Sequence, residues 1–236
     1  MMRRRWIADQ VSGNRAVLLG EHAAHLARVL RARAGQEFDI AADGVVRRGR
    51  VVSVSEERVE FELGDELEAV PVAQVTLALA IFKFDRMEWA IEKCTELGVT
   101  RIVPFAARRT DAHLAAAAVK RVERWRRIAR EASEQSRRAV PPGIANPVKL
   151  HEMLALPGEP RIVLSEAETA SSLRELCASA GGSSLLLAIG PEGGWTNEEL
   201  QAFADAGWKS ASLGPAILRA ETAAIAALAV VMAHTA

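Results

Sequence analysis

The chain has 236 residues, half of them hydrophobic, and its 30 Lys and Arg balance 30 Asp and Glu. That composition supports one large globular domain or two ordinary ones with sizeable cores. It leaves no room for a membrane span, because the longest apolar run, Ala223 to Ala233, is too short to cross a bilayer.

The N-terminal "MMRRRWIADQ" is positive but has no apolar stretch behind it, so no secretory signal is expected there. Cys94 and Cys177 are far apart and lack metal-ligand spacing. They read as two reduced core thiols of a cytoplasmic protein, with no metal site. From Trp6 to about Leu67 the signals are short β-type runs, "AVLL", "EFDIAA", "VVRRGRVVSV" and "RVEFEL", as in a compact barrel or sandwich. One helix interrupts them, "GEHAAHLARVLRAR", with His22, Leu26, Val29 and Leu30 roughly on one side. "EAVPVAQ", with Pro71, marks a domain boundary, giving domains 1–70 and 71–236.

Beyond the boundary strands and helices alternate. "VTLALAIF" (Val75–Phe82) reads as a continuous apolar strand, "RMEWAIEKCTELGV" as a helix ended by Gly98, and "RIVPF" (Arg101–Phe105) as a second strand. A long helix is expected across "AAVKRVERWRRIAREASEQSRR", with Val122, Trp125, Ala129 and Ala132 on one stripe. Then follow "RIVLSE", a helix capped at Ser171 or Ser172, "SLLLAIGPEGG", a helix from Thr196, "SASLG" and a final helix. This alternation predicts an α/β domain with a mostly parallel sheet covered on both faces, and ligands at the carboxyl ends of its strands.

Charge is unevenly spread. Arg108 to Arg138 holds ten Lys and Arg against four Asp and Glu, while Glu159 to Ala236 holds four against nine. Such asymmetry fits docking on a polyanion, or simply a solvated helix face.

Three loops follow apolar strands: "LSEAE", "IGPEGG" and "LGPAILRAETA". The second is a poor phosphate cradle. Pro191 has no N–H, Glu192 is negative, and neither a G-x-G-x-x-G spacing nor a Gly-Lys-Ser/Thr ending is present. A neutral or cationic nucleoside fits better. Thr196 and Glu199 form a capping-box pattern, with Trp195 and Leu200 spaced as a hydrophobic staple.

"IGPEGGWTNEEL" followed by "LGPAILRAETAAIAAL" resembles the paired signature of the SPOUT-class methyltransferases, specifically the RsmE family. "RMEWAIEKCTELGV", "REASEQSRRAVPP" and "HAAHLARVLRARAGQEF" resemble further family segments in the same order, so the likeness covers nearly the whole chain. The resemblance implies a C-terminal SPOUT α/β domain with a deep trefoil knot, a small N-terminal PUA-like β-barrel that binds RNA, and a homodimer. It implies transfer of methyl from S-adenosyl-L-methionine to N3 of a uridine in 16S ribosomal RNA, within the small ribosomal subunit. Cofactor contacts then fall on Leu164, Ser165 and Glu166, on Ile189, Gly190, Pro191, Glu192, Gly193 and Gly194, and on Leu213, Gly214, Leu218 and Thr222.

Uridine N3 is a poor nucleophile until its proton leaves, so the site needs a route for that proton and a positive group for the resulting charge. Arg219 matches the last arginine of the family motif and is the expected catalytic residue, its alternative being an ion pair with Glu221 or Glu192. Water or Glu192 could take the proton. Ala216 stands where the family commonly has another arginine. The RNA contact set expected is Arg4, His25, Arg28 and Arg31 on the small domain, with Lys83, Arg108, Arg109, Arg137 and Arg138 on the larger one. Trp6 and Trp125 read as core residues. Rival readings are a SPOUT enzyme acting on another RNA and an RNA-binding ribosome assembly factor with impaired catalysis. A Rossmann-type oxidoreductase lacks its glycine fingerprint.

Overall fold

Val59, Phe61 and Leu63 are buried and alternate with charged residues, the period of a strand with one face on a core. The computed structural model describes residues 5–67, 73–179 and 184–235. Arg4 and the boundary at Pro71 lie outside the described residues. The chain divides into two units, Met1–Pro71 together with Ser133–Pro141, and Val72–Ala132 together with Pro142–Ala236.

The first unit contains β1 (Arg5–Ile7), β2 (Gln10–Ser12), β3 (Arg15–Leu19), β4 (Glu37–Ala42), β5 (Val45–Val54) and β6 (Arg58–Leu67). They form one sheet in the order β1-β4-β5-β6-β3-β2, antiparallel except for β1 beside β4. Trp6, Leu18, Leu26, Ile40 and Phe61 fill its core. The expected helix is short: α1 (Gly20–Ala24) runs into a π-helical turn, His25–Val29, closed by a bond from Leu30 N to His25 O. The wider turn breaks the 3.6 period. Leu26 is buried, but Val29 and Leu30 point to solvent instead of sharing its side.

The second unit holds β7 (Gln74–Ala80), β8 (Arg101–Ala106), β9 (Gly143–Ile144), β10 (Val148–Lys149), β11 (Arg161–Leu164), β12 (Ser184–Ile189) and β13 (Lys209–Ala211). Every pairing among them is parallel, in the order β10-β8-β7-β12-β11-β13, with β9 also on β8. Helices α2 (Phe84–Leu97), α3 (Ala112–Ala118), α4 (Val122–Gln135), α5 (Leu150–Leu154), α6 (Leu173–Ser179), α7 (Asn197–Asp205) and α8 (Ala220–Thr235) accompany them. Leu77 and Leu79 pack with Met87, Trp125 and Leu228, while the intervening Ala78 and Ala80 pack with Met153, Phe203 and Trp208. Both faces of the sheet are therefore covered, which is why its strands are continuously apolar.

The long helix expected before residue 138 is broken by a 3-10 turn, Val119–Arg121, between α3 and α4. Its stripe survives: Val122, Trp125, Ala129 and Ala132 are all buried. The two-residue strands β9 and β10, with α5, had no sequence pattern long enough to read. Among the described residues no helix is long and apolar enough to cross a membrane.

Candidate functional site

The sheet order sets β11 between β12 and β13, so the segments leaving Leu164, Ile189 and Ala211 emerge side by side at the carboxyl ends of the strands. Backbone bonds tie them: Ser165 N donates to Ala211 O at 3.0 Å, and Leu173 N to Ser212 O at 2.9 Å. The Glu168 carboxylate accepts from the N–H groups of Ala170 (2.7 Å) and Ser171 (3.1 Å), and these bonds hold its carboxyl below the usual range. Between the loops lies a cavity of about 360 Å³.

Each glycine of this loop is fitted against a neighbouring side chain. Trp195 stacks on Phe105, with centroids 6.1 Å apart, meets Phe203 edge-on at 4.9 Å, and donates from its indole N–H to Leu164 O at 2.7 Å. A Cβ on Gly190 would stand 2.9 Å from that ring, so the indole occupies the room left by the missing side chain. Gly194 turns at φ +71°, where L side chains are strained, and its open side faces Glu166 Oε1. Gly193 faces the stem of Arg109. Thr196 and Glu199 exchange capping-box bonds of 2.9 and 3.2 Å, which start α7.

Of the expected cofactor contacts, Leu164, Ser165, Glu166, Ile189, Gly190, Pro191, Glu192, Gly194, Leu213, Gly214 and Leu218 line this cavity. Gly193 and Thr222 do not. Arg219 lines it and, among the described residues, makes no ion pair. Its possible partners are engaged elsewhere: Glu192 accepts from Arg86 at 2.8 Å, and Glu221 Oε1 lies 3.7 Å from the same arginine. Glu221 is buried, with no hydrogen-bond partner at Oε2 among the described residues.

Arg86, also on the cavity wall, escaped the sequence reading. Its one signal was a cation in the first turn of α2, a position the helix dipole disfavours. Ala216 lies on the wall as well. No group of three possible metal ligands occurs among the described residues.

The expected RNA contacts divide between the units. Arg137 and Arg138, grouped by sequence with the larger domain, belong to the first unit, where Arg5 donates to the carbonyl of Arg137. Burial lowers the Arg138 guanidinium below its ordinary pKa. Arg28 is ion-paired with Glu56, Arg31 is exposed, and the His25 ring lies 5.7 Å from Trp6. In the second unit Lys83 stands at the N-cap position of α2 without a side-chain capping bond, Arg108 N donates to Glu199, and Arg109 donates to Gly193 O. Much of the basic run is neutralised internally: Arg124 grips Glu88 with two bonds of 2.7 and 2.8 Å, and Arg126 pairs with Glu123.

A parallel α/β sheet with a cavity at its strand ends is the setting for small-ligand chemistry, and residues 68–232 match the model of the RNA methyltransferase domain family. The chain is 33% identical to the Bacillus subtilis ribosomal RNA small subunit methyltransferase E over 92% of its own length and 90% of that protein. The Neisseria gonorrhoeae protein of the same name, solved bound to S-adenosyl methionine, superposes with a TM-score of 0.84 at 29% identity, covering 97% of this chain and 96% of that one. A Legionella pneumophila structure with the cofactor SAM bound superposes at 0.86, again at 29% identity, over 99% and 98% of the two chains. The chain belongs to the ribosomal RNA small subunit methyltransferase E family of RNA methyltransferases. It is an RNA methyltransferase.

Proposed function

We propose that this protein transfers a methyl group from S-adenosylmethionine to N3 of a uridine in the 16S RNA of the small ribosomal subunit, acting as a cytoplasmic homodimer. The observation that carries the reading is the cavity at the ends of β11, β12 and β13, with the unpaired Arg219 on its wall.

The donor is a nucleoside without phosphate, and the cavity wall is mostly backbone and apolar side chain, with Pro191 where a phosphate site would present an N–H. In this reading the backbone groups of Ile189, Leu213 and Leu218 take the adenine edge. The sulfonium supplies the methyl cation when the donor is bound. Arg219 spreads its charge over the uracil oxygens as N3 loses its proton, stabilising the anion that attacks. Since Glu192 is held by Arg86, the proton is assigned to water.

We read the second unit as a knotted SPOUT domain. In support, the loops after β11, β12 and β13 meet around one cavity. The first unit, with its six-stranded mixed sheet, is read as a PUA-like barrel that docks on RNA through Arg28, Arg31, Arg137 and Arg138. For the homodimer, the support is exposed apolar surface: Trp89 on α2 and Ile217, 81% exposed, beside the cavity.

The test is transfer of labelled methyl to small ribosomal subunits lacking the modification, followed by nucleoside mass spectrometry. The reading predicts 3-methyluridine. Donor binding without any methylated uridine would overturn the substrate assignment.

A further inference from the structure

Two residues of the loop after β12 are gripped by arginines from other elements. Arg86 of α2 holds the Glu192 carboxylate, and Arg109, just beyond β8, donates from Nη1 to the carbonyl of Gly193 at 2.6 Å. Strand β7 separates β8 from β12, so Arg109 reaches past a whole strand to make this bond. Its stem lies against the glycine: a Cβ on Gly193 would stand 3.2 Å from Arg109 Cβ and 3.4 Å from its Cδ. The same guanidinium comes within 3.8 Å of the Cβ position of Gly194, whose other neighbour is Glu166.

The base from which Arg109 reaches is itself fixed. Thr110 Oγ1 donates to Ile81 O at 3.2 Å, Ala107 N donates to Thr110 Oγ1 at 3.1 Å, and Arg108 N donates to Glu199 Oε1 at 2.8 Å. The arm is thus anchored to the end of β7 on one side and the start of α7 on the other. A charged donor strengthens a hydrogen bond to a peptide carbonyl, and this one, though open to solvent, restrains the peptide between Gly193 and Gly194.

We propose that Arg109 is a positioning residue for the methyl donor: by holding the Gly193 carbonyl it fixes the turn whose Glu192 and Gly194 form the cavity wall. It is therefore not a phosphate contact for RNA. The inference rests on the cavity being the donor site. Without the bond, donor binding must itself order the loop, which weakens affinity and leaves the bound complex able to react.

The experiment compares the full-length parent chain with Arg109→Ala and Arg109→Lys. S-adenosylmethionine affinity is measured by titration calorimetry, and methyl transfer to unmodified small subunits is measured with each substrate varied in turn. Arg109→Ala is expected to raise the donor Kd and KM about tenfold, with kcat and the KM for subunits within about twofold of the parent. Arg109→Lys keeps the stem and one donor and is expected to recover part of the loss. The inference is overturned if donor affinity stays within about twofold of the parent while the subunit KM rises and its salt dependence flattens by about one charge, the signature of a lost phosphate contact. Uniform loss of donor affinity, kcat and subunit affinity also overturns it. A parent chain that binds no donor overturns the donor-site reading itself, and this inference with it.

Discussion

Arg219 and Arg86 stand on one cavity wall in different electrostatic situations. Arg86 is shared by two carboxylates, whereas Arg219 has no ion-pair partner among the described residues. The unpaired guanidinium is the one available for charge that develops during reaction. Arg219→Ala is expected to lower kcat by about a hundredfold while leaving the donor Kd unchanged, as when an electrostatic stabiliser of a transition state is removed; calorimetry beside single-turnover transfer checks it. Arg86→Gln should act on stability, because it leaves the buried Glu221 carboxylate without its counter-charge. A loss of about 2 kcal/mol is expected, less than for fully buried pairs because Arg86 keeps some exposure, and urea unfolding of the two chains measures it. Arg219 was legible because it closes a local motif. Arg86 was not, because its partners Glu192 and Glu221 lie over a hundred residues away and only the parallel sheet brings them to α2.

The thiols make a separate prediction at this scale. Burial pushes the Cys94 pKa up to about 12, and burial raises Cys177 as well. Both stay protonated near pH 8. A disulfide exchange reagent should therefore find neither thiol in the native chain within minutes and both after unfolding in guanidinium. Fast native reaction of either would contradict their burial.

At the scale of elements, local chemistry was readable wherever a cap or a long apolar run was present. Thr196 and Glu199 start α7 as their spacing requires, and Gly98 ends α2 in a left-handed conformation. Thr196→Ala should destabilise the protein by about 1 kcal/mol, measured by urea unfolding. A value near zero would mean that the loop holds the helix end without its cap. The elements the sequence hid are those without local signals. Strands β9 and β10 have two residues each, and the π-helical turn after Ala24 departs from the period that a helix reading assumes. The glycine-rich loop combines both cases. Its turn was evident from Gly193 and Gly194, but its fitting to Trp195, Arg109 and Glu166 depends on distant strands.

Across the whole molecule, strand–helix alternation and the change of pattern near residue 70 were visible in the sequence. The placement of Ser133–Pro141 with the first unit was not. That segment begins in the last turn of α4 and runs on without a break in composition, and its membership is fixed by long-range contacts such as Arg5 with the Arg137 carbonyl. Trp89 and Ile217 each expose an apolar side chain that a dimer interface would cover. Sedimentation equilibrium should report twice the 25.5 kDa chain mass, and Trp89→Glu should shift the chain toward monomer. A wild-type monomer at micromolar concentration would remove the dimer from the account.

In the proposed function the cavity at the carboxyl ends of β11, β12 and β13 receives the methyl donor. A crystal structure of this chain with S-adenosylmethionine tests that placement. The adenosine is expected between the segments that follow Ile189 and Ala211, with Arg219 facing the methyl group. Donor density at the opposite ends of the strands, or a cavity left empty at saturating donor, would contradict it.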